Sequence, residues 1–288
     1  MGKALEVVTG YWSPATTTAG TYGAFTANSG QSFAIRQANG SPAGKVLSPW
    51  GQYGAAGFLQ VKTPRWHDTT IADTYHVQAD SATFAVNPLL DMGDCEPAYS
   101  TDILTVQGTT DASQTAATTY SVGLPIYYAD LPGVDANFTD WATCQSLVNY
   151  NSKVGLHYVS WVKPSSAGTA GQIGATTLIN SVNDQLKAGH SYALLGYLCG
   201  AQVGTVLIQG TDTGNLYVGG PGSLDTRTTR GWFVDLSAKY GLPLIPVIQA
   251  NNKGTTNVAV VDAASTSTAV TIGLIWMDLG VLTPPQGV

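Results

Sequence analysis

The chain has 288 residues, is 44% hydrophobic and only 10% charged, and carries a net charge of −6 with a pI of about 4.9. Its 12 Lys and Arg are scattered singly, which excludes the clustered cations of a nucleic-acid groove. Cys95, Cys144 and Cys199 give neither a disulfide framework nor a CxxC metal pair, and are read as buried free thiols. The opening MGKALEVVTGYW has no apolar signal segment, and Glu6 stands where a myristoylation signal needs Ser or Thr. Apolar runs such as Tyr192–Leu198 are too short to span a bilayer.

Strand signals dominate. Short runs rich in Val, Ile, Thr and Tyr, bounded by Gly, Pro, Asn and Asp, predict strands at Leu5–Tyr11, Ser32–Gln37, Phe58–Thr63, Ala72–Gln78, Ile103–Gly108 and Tyr120–Tyr128. Further strands are predicted at Val154–Lys163, Ser191–Leu198, Thr205–Gln209, Leu216–Gly219, Leu244–Gln249, Asn257–Val261 and Ala269–Trp276. Val154–Lys163 alternates, with Val154, Leu156 and Tyr158 on one face and His157, Val159 and Trp161 on the other. Apolar bulk on both faces predicts a strand covered on both sides.

Two helices are predicted. Thr228–Tyr240 places Trp232, Phe233, Leu236 and Tyr240 at helical spacing, with Thr229 as its cap and Gly241 and Pro243 as its stop. A weaker one runs Thr177–Lys187 and closes at Gly189. The loops Ser165–Gly171 and Ala263–Thr268 are low-complexity runs of small residues, expected to be exposed. The turn Leu131-Pro132-Gly133 and the polar run after it divide the chain into residues 1–133 and 134–288. Many short strands with one or two inserted helices read as a mainly β chain of two jelly-roll sandwich or barrel domains.

No constellation carries chemistry convincingly. His67 and Asp68 are adjacent, so on an extended chain they point apart, and Arg65, Trp66 and His67 suit a turn or a subunit contact. Asp91, Asp94, Cys95 and Glu96, near His76, have Gly93 among them but no calcium-loop spacing. Asp212-Thr213-Gly214-Asn215 resembles half of an aspartic-protease site and has no second Asp-Thr-Gly. It reads as a hairpin turn with Gly214 or Asn215 at positive φ. Gly219-Gly220-Pro221-Gly222 lacks the Lys-Ser/Thr of a phosphate loop. Trp12, Trp50, Trp66, Trp141, Trp161, Trp232 and Trp276 are spread over the chain and read as core and contact residues rather than a sugar platform. Asn137-Phe138-Thr139 is a formal glycosylation sequon. The expectation is therefore no enzyme, with no catalytic, cofactor-binding or metal residue.

In length, strand count and composition, with Phe58–Asp68, Leu124–Gly133 and the helix-bearing block Gly210–Pro246, the chain resembles the major capsid proteins of tail-less icosahedral viruses and phages with jelly-roll coats. The resemblance implies a capsid subunit of the virion. Such a subunit is commonly a double jelly roll assembled as a pseudo-hexagonal trimer with itself and other coat proteins. The chain is short for a double jelly roll, so paired single jelly rolls stay open, as does an internal membrane. The alternatives are a carbohydrate-binding or glycan-hydrolysing β-sandwich, or a tail-fibre or pilus-like subunit.

Overall fold

The computed structural model describes residues 2–52, 57–66, 76–79, 95–148, 157–180, 182, 186–222, 229–263, 265 and 269–281. The chain is mainly β, built from four antiparallel sheets with few helices.

The first half opens with β1 (Ala4–Trp12), β2 (Gly23–Ala24), β3 (Thr26–Ala27), β4 (Gly44–Val46) and β5 (Trp50–Gln52). It continues with β6 (Gly57–Lys62), β7 (His76–Ala79), β8 (Glu96–Ala98), β9 (Thr105–Thr110) and β10 (Tyr120–Tyr128). One sheet runs β3-β1-β10-β4-β8, with β5 also on β10, and the other runs β2-β9-β6-β7. β1 and β10 pair along their whole length, from Ala4↔Tyr128 to Trp12↔Tyr120. Both are rich in the β-branched and aromatic residues that suit a pleated, buried surface.

Pro125 sits inside β10 and has no N–H to give. Beside it the neighbouring edge is interrupted: Val46 faces Ile126 and Trp50 faces Gly123, so that edge carries one extra residue between β4 and β5. The period of two then makes β1 line two cores. Ala4 and Val8 join the core of the first half, whereas Leu5 and Val7 join the core of the second.

The second half holds β11 (Phe138–Thr139), α1 (Trp141–Val148), β12 (His157–Val162), β13 (Thr177–Leu178), β14 (Ser191–Leu198), β15 (Val203–Gln209) and β16 (Val218–Pro221). It ends with α2 (Trp232–Tyr240), β17 (Ile245–Gln249), the 3-10 helix Ala250–Thr255, β18 (Asn257–Asp262) and β19 (Ile272–Gly280). Its sheets run β11-β17-β14-β19-β12 and β13-β18-β15-β16. Setting aside the two-residue edges β3 and β11, and counting β4 and β5 as one interrupted strand, both halves have the same order. Numbered one to eight along each half, the strands lie 1-8-3-6 in one sheet and 2-7-4-5 in the other.

Some expectations are corrected. Ser32–Gln37 is not a strand. Phe33 and Ile35 are buried, but a single bridge, Ala34↔Ile103, replaces a ladder. The helix expected over Thr177–Lys187 is absent at its start, where Thr177 and Leu178 pair with Val258 and Asn257. Its residues 181 and 183–185 lie outside the described residues. The N-cap of α2 is Gly231, which gives it no side-chain cap, so Thr229 is not its cap residue. Gly241 ends it at φ 62, with its N–H on the Ser237 carbonyl. β12 is not covered on both sides: Ser160 and Val162 are buried, while His157 and Trp161 are exposed. Residues 154–156 of that expected strand lie outside the described residues.

Candidate functional site: the seam between the halves

His67, Asp68, Asp91 and Asp94 lie outside the described residues. Arg65 donates from Nε to Asp102 Oδ1 at 2.8 Å and lies 5.2 Å over the Tyr99 ring, and Trp66 Nε1 donates to the Pro97 carbonyl. Those contacts fix a turn against β8. Among the described residues no group of three or more His, Cys, Asp and Glu gathers.

Asp212 lies in the loop joining β15 to β16 and is 2% exposed. Its Oδ1 accepts from Asn137 Nδ2 and Asn252 Nδ2, and its Oδ2 accepts from the Gln249 N–H. These bonds tie the entry to β11, the end of β17 and the 3-10 helix into one knot. Gly214 and Asn215 both take positive φ, 64° and 59°, and make the turn. The loop borders an amide-rich cleft of about 270 Å³ lined by Asp135, Asn137, Asn215 and Asn252. An aspartate whose oxygens already receive three hydrogen bonds holds structure in place. The Asn137 amide of the sequon is spent in the same knot. Gly219, Gly220 and Pro221 are strand residues of β16.

Burial pushes the Cys199 thiol up to about 12 and the Cys144 thiol up to about 11. Neither has the thiolate character that reactivity needs. Sequence reasoning missed the pair His190 and Asp278, where Nδ1 lies 3.0 Å from both carboxylate oxygens. Asp278 Oδ1 also accepts the Gly280 N–H, and the His190 ring stacks on Tyr192. The pair pins the start of β14 to the end of β19. Its members are 88 residues apart and no local pattern announces them.

The most elaborate convergence is the seam. Val7 N–H donates to the Tyr217 carbonyl at 2.7 Å, just ahead of β16. Trp50 stands edge-on to Trp232 and donates from Nε1 to Thr205 Oγ1 at 3.2 Å. The Ser48 N–H donates to the Tyr240 hydroxyl of α2 at 2.9 Å. Asn28, 3% exposed, donates to Thr9 Oγ1 and the Gly171 carbonyl and accepts the Ile173 N–H. Fully satisfied buried amides of this kind fix one arrangement, because a shifted one would strand them. The tryptophans form no shared platform: Trp50, Trp232 and Trp276 are buried, Trp12 stacks on Tyr120, and Trp161 stands exposed on β12.

No family model matches this chain, and no curated protein matches it. Among solved structures the chain is similar to an exported protein of PBSX, XepA, at 11% identity over 95% of this chain and 86% of that one, with a TM-score of 0.25. A TM-score that low carries no argument about fold or function.

Proposed function

We propose that this chain is a double jelly-roll coat protein that builds a virus or phage shell from copies of itself. The strand order carries the reading. The order 1-8-3-6 facing 2-7-4-5 is what results when one long antiparallel hairpin is rolled into a sandwich. Its four hairpin pairs are β1–β10, β2–β9, β4–β8 and β6–β7 in the first half. In the second they are β12–β19, β13–β18, β14–β17 and β15–β16. The two domains of the proposal are residues 1–133 and 134–288, in contact along the seam.

Two like barrels side by side suit pseudo-hexagonal packing, in which few subunits supply many equivalent edges. A charged fraction of 10% gives poor colloidal protection to a lone subunit and suits a surface covered by neighbours. The proposal assigns no catalytic residue, cofactor or metal. Its partners are copies of itself, in trimers or pseudo-hexagonal capsomers, and other coat proteins. With 12 scattered cations the chain itself is not the tight binder of a genome. Negative-stain microscopy of the purified chain tests the proposal. Rings, trimers or shells are expected, whereas dispersed monomers that bind a glycan array support a carbohydrate-binding sandwich instead.

A further inference from the structure

We infer that the outer edge of β12 is a contact for a second copy of this chain, the two β12 strands pairing antiparallel across a two-fold axis. The inference rests on the coat reading and names one of its contacts. A sheet edge offers unpaired N–H and C=O groups, and proteins blunt such edges by shortness, charge, proline or cover. Among the described strands, β2, β3, β11 and β13 are edges of two residues each. β8 is Glu96-Pro97-Ala98, which carries a charge and a proline. β16 is buried and ends in Pro221, and β7 has four residues. β12, His-Tyr-Val-Ser-Trp-Val, has six residues and holds no proline, no carboxylate, no Lys and no Arg. No described strand pairs with its outer side.

The matching strand of the first half shows what such a position asks for. β1 holds the same place in its sheet as β12 and is buried from Ala4 to Gly10, with the second half laid against it. Among the described residues β12 has no such cover. Trp161 is 37% exposed, and His157 is exposed on the same face with Val159 between them.

A second copy fits this edge in charge and pattern. Each chain carries −6, so copies meet with least repulsion where neither presents a carboxylate. With Val159 opposite Val159, His157 of each copy faces Trp161 of the other, and both pairs lie on the exposed face. Six residues make an edge about 20 Å long. At a strand spacing of about 4.8 Å, such an edge is a strip on the order of 100 Å², far below the roughly 800 Å² per partner of a free-standing dimer, so the contact acts together with others in an assembly.

The test uses the full chain with Val159→Cys, oxidised under assembling conditions, beside wild type and an Ile103→Cys control whose position is 71% exposed in the first half. A disulfide dimer from Val159→Cys alone, together with loss of large assemblies in a stably folded Trp161→Lys variant, is the expected result. If wild type assembles, Val159→Cys gives no dimer and Trp161→Lys assembles like wild type, this contact is overturned while the coat reading stands. If wild type never assembles, the coat reading falls and takes the contact with it.

Discussion

Trp50 and Trp232 meet edge to face, with ring centroids 5.8 Å apart at 83°, and each comes from a different half of the chain. Both are fully enclosed, and Trp232 also donates from Nε1 to the Gly219 carbonyl. Trp232→Ala removes this contact, a hydrogen bond and a large apolar volume, and is expected to cost about 3–5 kcal/mol. Trp50→Ala should cost a similar amount. The double variant should lose less than the sum, with a coupling of about 0.5–1.5 kcal/mol. Urea unfolding of the four proteins measures it, and strict additivity would show that the rings do not support each other.

Gly123 faces Trp50 directly in the sheet, and a Cβ there would lie 2.1 Å from the indole Cε2. Gly123→Ala therefore displaces a buried ring that holds the seam, at an expected cost of about 1–3 kcal/mol. Gly254 has nothing within 4 Å, so Gly254→Ala should be close to neutral. Thermal unfolding of both variants separates lost space from a general intolerance of side chains.

Asp262 is fully buried. Its Oδ2 accepts the Ser166 hydroxyl and the Gly168 N–H, and its Oδ1 has no hydrogen-bond partner among the described residues. Burial raises its pKa above the ordinary carboxylate value, and burial does the same to Asp235. A raised pKa means that the folded state holds the proton more tightly. The contribution is thus full below the ordinary value of about 4 and is lost as pH rises through the raised one. Asp262→Asn should flatten that part of the stability profile while keeping an acceptor for Ser166. Denaturant midpoints between about pH 4 and pH 7 measure it, and an unchanged slope would contradict the assignment.

The thiols of Cys144 and Cys199, pushed up to about 11 and about 12, should resist labelling at mildly alkaline pH. By exposure Cys144 is buried, whereas Cys95 and Cys199 are both only partly covered, so neither of those two is the fully buried thiol expected from the sequence. A colorimetric thiol assay of the native protein should detect Cys95 at most, and all three cysteines after denaturation. Rapid native labelling of Cys199 would show that its strand-end environment opens readily.

Strand content was legible because alternation and β-branching act locally: Tyr120–Tyr128 and Ser191–Leu198 coincide with β10 and β14. Strands of two residues, such as β13, are too short to show a period. Phe33 and Ile35 alternate like a strand because they fill the core, yet their backbone bonds only to the short stretch Thr101–Leu104, around the single bridge Ala34↔Ile103. The polar run read as a boundary ends at Asp140, directly before α1, whose start that residue signals: its Oδ1 accepts the Thr143 N–H as an N-cap does. Which strand lies beside which, the partners of Asp212 and the pair His190–Asp278 are set by contacts between distant residues, and no local pattern encodes them.

Sedimentation velocity of the purified chain, across protein concentration, salt and pH, tests the central claim most directly. The account expects species well above the 30.0 kDa monomer, growing toward trimers, rings or shells as concentration rises. A single 30.0 kDa species under every condition would contradict a self-assembling coat protein.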